Sequence, residues 1–431
     1  MKKITGGVCA PKGFMAAGIR CGIKASSVKK DLALIYSQKL CAAAAMFTKN
    51  KVKAASVLVS QENIRNGKLQ AIIANSGNAN ACTGEQGTAA ALHMTQLVSD
   101  SFQLDPSLVA VASTGVIGVP LPLDPIVNNF PALKAALRSD EQGHSDALEA
   151  IMTTDIRRKE IAVEIKISGK PARIGAIAKG SGMIHPNMAT MLCFITTDAA
   201  IEQSALDAAL RRSVAHSFNR LTVDGDTSTN DMILIMANGE AGNEPITNVE
   251  YEEHGKHEPR INTDSTDLRG LKKEDSYNKF YTALEYVCVE LTKMMARDGE
   301  GATKLVTVTV KGARSEETAE LLAKSVASSS LVKAACFGAD ANWGRVLCAM
   351  GYSGADFSES KVSVSFSSKA GAVKVCQAGM TVSFSEEKAK EILSQEEIEI
   401  IIELQDGAAC ACAWGCDLTY DYVKINGDYR S

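Results

Sequence analysis

Residues 179–192 read KGSGMIHPNMATML. Polar residues and two glycines lead through a His-Pro-Asn turn to Thr190, which opens an apolar run continuing through Thr196. Two readings fit. The stretch is either an ordinary loop entering a buried strand, or a constrained turn at which the chain is cut before Thr190. On the second reading, Thr190 becomes an N-terminal residue whose hydroxyl is the nucleophile and whose own α-amine is the base. That amine has an unperturbed pKa of about 7.7–8.0, close to where a general base works best. One residue would then supply both functions in a chain with only six histidines. Making that terminus requires Thr190 Oγ to attack the Ala189 carbonyl, and water then cleaves the resulting ester.

Around this stretch the pattern is that of an α/β protein. Residues 71–74 read as a buried strand breaking into the Asn/Gly-rich turn NSGNANACTG, and residues 87–97 have helical spacing. Residues 108–118, LVAVASTGVIG, form another apolar strand with Ser-Thr-Gly at its end. Layered α/β folds place their sites in such polar turns at strand ends. After the central strand 190–196, residues 204–218 set Leu206, Leu210, Val214 and Phe218 on one helical face, with Ser204 and Asp207 spaced as a capping box. Residues 221–231 read as a short strand entering a turn, and 232–239 as a buried strand. Residues 243–278 are charged and aperiodic, an exposed insertion. A helix over 278–301 and an alternating strand over 304–312 follow, with a domain boundary between 280 and 305 and a smaller α+β domain beyond it.

Composition narrows the function. Over 431 residues, 45% are apolar, 22% are charged, and the net charge is −4. This disfavours a surface for nucleic acid or anionic membrane, which needs a basic excess. Residues 106–123 are uncharged but carry three prolines and two glycines, so a membrane helix is not expected. The start of the sequence lacks the apolar core of a secretion signal. The twelve cysteines are scattered, and a cytoplasmic location with reduced thiols is expected. Cys410, Cys412 and Cys416 do not have a zinc spacing, and Cys410 and Cys412 should share one side of a strand; no metal is expected. DGEGATK (298–304) lacks the phosphate-loop pattern, and no cofactor is expected. The acidic, Thr-rich TVDGDTSTND (222–231) suits a hydrogen-bond network or a metal site, and the network is favoured because no ligand spacing stands out.

Taken together, KGSGMIHPNMATML, GFMAAGIRCGIK (13–24), ANSGNANACTG (74–84), ASTGVIG (112–118), TTD (153–155), TVDGDTSTND, RDGEGATK (297–304), ANWGRVLCAMGYSG (341–354) and the end WGCDLTYDYVKINGDYRS closely resemble the ornithine acetyltransferase (ArgJ) family, in its order and over nearly the whole chain. The charged stretch 243–278 departs from the family by its length. The resemblance implies self-cleavage between Ala189 and Thr190 into an α chain (1–189) and a β chain (190–431), assembled as α2β2. It implies a helix–sheet–sheet–helix architecture like that of N-terminal nucleophile enzymes. The implied reaction moves acetyl from N2-acetyl-L-ornithine to L-glutamate through acetyl-Thr190. Acetyl-CoA is a further donor for some members, and the sequence leaves both cases open.

By resemblance Thr114 and Gly115 stabilise the oxyanion. Thr153, Lys179, Thr190, Glu300, Asn426 and Ser431 contact substrate; Thr154 is an alternative to its neighbour Thr153. Ser431 stands where the family commonly has Thr, which keeps the hydroxyl. Two other readings are a self-processing aminopeptidase or amidase, which passes the acyl group to water, and a non-catalytic amino-acid-binding relative.

Overall fold

Among the described residues, nine strands make one sheet: β1 (Lys2–Ile4), β2 (Phe14–Ile19), β3 (Leu32–Phe47), β4 (Lys68–Asn78), β5 (Val109–Val116), β6 (Lys159–Ile167), β7 (Lys170–Lys179), β8 (Leu192–Thr197) and β9 (Met232–Ala237). Their order is β1-β6-β7-β8-β9-β3-β4-β5, with β2 paired to β3 beside this path. The computed structural model describes residues 1–24, 28–185, 191–247 and 268–428, and of 268–274 the backbone only.

β3 turns this sheet into two layers. Its first part, Leu32–Tyr36, pairs with β4, and its last part, Ala42–Phe47, pairs with β9. The register shifts between Tyr36 and Cys41, and residues 38–40 are exposed at the bend. The folded-over faces meet in one core, where Ile35, Ile72 and Ala112 pack with Phe194, Leu234 and Met236. Alternate side chains point to the opposite faces. On one outer face Leu34, Ile73 and Val111 pack against helices Ala55–Asn63 and Gly84–Phe102. On the other, Cys193, Ile195 and Ile233 pack against helices Gln203–Ala215 and Leu268–Arg297. The architecture is helix–sheet–sheet–helix. Strands β8 and β9 are buried on both faces, which explains their unbroken apolar sequences.

A second sheet has six strands: β10 (Leu305–Ala313), β11 (Ser363–Ser368), β12 (Gly371–Gln377), β13 (Met380–Thr381), β14 (Glu397–Glu403) and β15 (Ala409–Cys416). Helices Glu316–Ser328, Trp343–Gly351 and Glu386–Leu393 contribute to its core. Along β15, Ala411 and Ala413 belong to that core, while Trp414 and Cys416 join the core of the first unit, with Cys412 packed against it. Among the described residues, no helix is long and apolar enough to cross a membrane.

Three local expectations change. Helix Gln203–Ala215 starts from Glu202, with no side-chain cap, so Ser204 falls inside it and Asp207 pairs with Arg211 at 2.7 Å instead of forming a capping box; it also ends before Phe218, which sits in the 3-10 turn Phe218–Arg220. Residues 221–231 are not a strand: Leu221 makes one bridge to Trp414, and polar side chains take up backbone groups in the rest. The helix expected over 278–301 runs from Leu268 to Arg297, so the end of the charged segment is helical. Residues 248–267 of that segment lie outside the described residues.

Phe194 is fully buried between the sheet layers. Phe194→Ala should cost about 3–5 kcal/mol in urea unfolding, whereas Leu40→Ala at the exposed bend should change stability by less than about 0.5 kcal/mol.

Candidate active site

The open ends of β5 and β7 and the residues before β9 face one polar cavity of about 190 Å3. Its walls include Thr114, Gly115, Thr153, Lys179, Glu300 and Asn426, six positions named from the sequence. Thr154, Gly182, Met183 and Ser228–Asn230 complete most of the lining. The volume is below the about 300–1,000 Å3 of drug-sized pockets and suits a small metabolite.

Thr114 and Gly115 end β5 beside β4, where they stand opposite Ser76 and Gly77. Gly115 has φ +135, and a Cβ there would lie 2.4 Å from the Gly77 carbonyl carbon and 2.5 Å from Asn78 N. The Gly77–Asn78 peptide leaves no room for a side chain. The ANSGNAN turn braces this strand end. Ser113 Oγ donates to Asn75 Oδ1 at 2.7 Å, and the Asn75 amide donates to the Asn78 carbonyl at 2.9 Å. The Asn230 amide ties the turn to the residues before β9, donating to the Ala79 and Ser113 carbonyls at 2.6 and 2.7 Å.

Lys179 ends β7 and is buried, and its ammonium donates to Thr114 Oγ1 at 3.3 Å. With that oxygen accepting, the hydroxyl proton of Thr114 is available to donate elsewhere. Burial pushes the Lys179 ammonium below the ordinary lysine value, and Asp155 pulls the other way. Asp155 is buried beside it. Burial favours its neutral acid, but Lys179 and Lys159 outweigh this and hold the carboxyl well below the usual range.

Glu300 follows the 268–297 helix. Its N–H donates to the Ser181 carbonyl at 2.8 Å, and its Oε2 accepts from the Asn426 amide at 2.9 Å. A Cβ on Gly182 would sit 2.4 Å from the Glu300 carboxyl carbon, so this glycine of the KGSG stretch makes room for Glu300. Ser181 Oγ and Thr154 Oγ1 are hydrogen-bonded at 2.7 Å.

β8 starts between β7 and β9. Met191 N donates to Asp231 Oδ1 at 3.0 Å, and the Met191 carbonyl accepts from Met232 N at 3.0 Å. Ala189, Thr190 and Ser431 lie outside the described residues. The TVDGDTSTND segment forms hydrogen bonds on every side. Asp224 accepts backbone N–H groups from Met183, Ile184 and Asp226, and the Ser228 carbonyl accepts from Thr48 Oγ1 at 2.7 Å. Among the described residues, no His, Cys, Asp and Glu are grouped so as to hold a metal ion.

No local pattern in the sequence marks Lys159 or Asp298 as a site residue, and Asp155 stands out only as the last residue of TTD (153–155). Lys159 is buried, and its ammonium lies 2.7 Å from Asp155 Oδ1 and 2.5 Å from Asp298 Oδ2. The i,i+4 spacing of Asp155 and Lys159 resembles an exposed surface pair. Only the fold brings Asp298, of RDGEG, to the same ammonium.

A layered α/β fold with a charged, strand-end cavity of this size defines a site for a small polar molecule. The chain belongs to the ArgJ family, whose profile matches residues 15–431. It is 48% identical to the arginine biosynthesis bifunctional protein ArgJ of Caldanaerobacter subterraneus subsp. tengcongensis, and 50% identical to that of Symbiobacterium thermophilum, each over 100% of both chains. A crystal structure of the arginine biosynthesis bifunctional protein ArgJ from Bacillus halodurans is 41% identical, with a TM-score of 0.46, over 55% of this chain and 98% of that one.

The two glycines should respond differently to a methyl group. Gly115→Ala meets backbone and should cost about 2–4 kcal/mol. Gly182→Ala meets the movable end of Glu300 and should cost less than about 1 kcal/mol while displacing that carboxylate from Asn426. Thermal unfolding of both variants checks this, and a Gly115→Ala protein as stable as wild type would contradict the cavity geometry.

Proposed function

We propose that this protein is a glutamate N-acetyltransferase of arginine biosynthesis, moving acetyl from N2-acetyl-L-ornithine to L-glutamate through acetyl-Thr190. The observation that carries the reading is the gathering of Thr114, Gly115, Thr153, Lys179, Glu300 and Asn426 around one cavity, with Lys179 paired in register to Leu192, the first residue of β8. Membership of the ArgJ family and the names of full-length relatives support it.

The chain first processes itself. Thr190 Oγ attacks the Ala189 carbonyl carbon, the peptide C–N bond breaks to free the Thr190 amine, and water hydrolyses the resulting ester, releasing the Ala189 carboxylate and restoring the Thr190 hydroxyl. In turnover that amine takes the hydroxyl proton as Oγ attacks the acetamide carbonyl of acetylornithine. The Thr114 hydroxyl and the Gly115 N–H stabilise the tetrahedral oxyanion. As the acetamide C–N bond breaks, the same proton passes to the leaving ornithine amine. The α-amine of glutamate then attacks the ester, gives up a proton to the Thr190 amine, and leaves as N-acetylglutamate while Thr190 recovers its hydroxyl.

Both substrates carry an α-carboxylate, and their side chains differ in charge. Lys179 pairs with the carboxylate, while Glu300, held by Asn426, faces the ornithine ammonium. Thr153 and Ser431 add hydroxyl contacts. The two fragments assemble as α2β2 in the cytoplasm, and no cofactor takes part. The relatives are named bifunctional, which supports a second activity. We assign acetyl-CoA as its acetyl donor.

Incubation with acetylornithine and glutamate should yield equal amounts of ornithine and N-acetylglutamate with ping-pong kinetics. Acetate release independent of glutamate would instead mark a hydrolase. Thr114→Ala should lower kcat by about 100- to 1,000-fold. The acid limb of kcat/KM should rise with pH through the Thr190 amine, at about 8, because only the unprotonated amine accepts the proton.

A further inference from the structure

The mechanism makes no use of Asp155, yet this carboxylate is among the most buried charges in the chain. Its Oδ1 accepts from Gly180 N and Lys159 Nζ, both at 2.7 Å, and its Oδ2 accepts from Thr153 N at 2.9 Å. Thr153 lines the cavity, and Gly180 follows Lys179, which lines it too. One carboxylate therefore joins the backbone of two wall segments that flank the paired strands β6 and β7.

The charges point the same way. Lys159 lies between Asp155 and Asp298, and Asp298 Oδ2 also accepts from the N–H groups of Ile156 and Arg157 at 3.2 Å each. Two carboxylates facing one ammonium leave one excess negative charge. Lys179, also buried, exerts the strongest positive pull on Asp155.

We propose that Asp155 is a positioning residue of the acetyl-transfer site: it holds Thr153 and Gly180 at fixed spacing and supplies the counter-charge for Lys179. This rests on the reading of Lys179 as the carboxylate partner. Other charged groups among the described residues also act on Lys179. Lys159 at the start of β6 and Lys24 from the loop after β2 oppose its charge, whereas Glu300 after the long helix and Asp231 before β9 favour it. Burial is the largest influence and favours the neutral amine, while Asp155 is the strongest opposing pull. Removing the Asp155 charge must therefore let Lys179 lose its proton at lower pH. A neutral Lys179 cannot pair with a carboxylate, so the alkaline limb of kcat/KM for glutamate must move down with it.

The test compares wild type, Asp155→Asn and Asp155→Glu, each checked for folding by circular dichroism. The readouts are the pH profile of acetyl transfer and the pH midpoint of Lys179 labelling by acetic anhydride, read by peptide mass spectrometry. In Asp155→Asn both the alkaline limb and the labelling midpoint should fall by about 1 pH unit or more. In Asp155→Glu the charge remains, so the midpoint should stay near wild type, while the shifted carboxylate should lower kcat/KM by roughly 10- to 100-fold. An unmoved Lys179 midpoint in Asp155→Asn, or a loss of activity equal at every pH, would overturn the proposal. If Asp155→Asn does not fold, wild-type kcat and KM in Asp155→Glu would overturn it. The labelling midpoint needs no turnover. A wild-type protein without acetyl transfer would therefore refute the proposed function, and the midpoint would still decide the role of Asp155.

Discussion

The ammonium of Lys159, buried between Asp155 and Asp298, is the contact on which the arrangement of the site depends. Through these two carboxylates it ties the segment at 153–157, the turn after β7 and the end of the 268–297 helix to one point. Such a cluster is costly to break. Removing one partner of a buried ion pair typically costs about 3–5 kcal/mol, because the remaining charge is left uncompensated in a poorly solvated interior. The strain on the two acids is unequal. Burial pushes the Asp298 carboxyl up against the opposing pull of Lys159, while Asp155, with Lys179 and Lys159 both close, is held well below the ordinary carboxylate range.

The fold explains why these segments meet. A bent β3 lets one continuous sheet cover itself, so the ends of β5 and β7, which belong to opposite layers, open towards the same cavity. Small residues permit the close approach: β3 contributes a run of alanines, and Gly115 and Gly182 leave space for backbone and for Glu300. Polar turns then take over from strand pairing. Asn75, Asn230 and Asp224 spend their side chains on neighbouring backbone groups, which keeps a loop-built cavity from collapsing.

Much of this was legible in the sequence. Unbroken apolar runs marked the buried strands, and helical spacing set Leu206, Leu210 and Val214 on one buried face, whereas Phe218, expected on that face, follows the helix in a separate turn. Family motifs named six of the cavity's lining residues. What was not legible depends on tertiary contact. The false capping box at Ser204 had the right spacing but the wrong start, since Glu202 begins the helix. Residues 221–231 read as a short strand entering a turn, yet beyond the Leu221 bridge the side chains satisfy the backbone locally in place of strand pairing. Lys159 could not be found by pattern: a lysine four residues after an aspartate reads as solvent-exposed, and nothing local to it points to Asp298.

The account turns on the bond between Ala189 and Thr190. Its most direct test is the intact mass of the purified protein under denaturing conditions, before and after exposure to acetylornithine alone. Two fragments split at that bond, with the fragment that begins at Thr190 gaining the mass of one acetyl group, are the expected result. A single uncut chain would contradict the account, because it would leave the proposed nucleophile without the free amine that serves as its base.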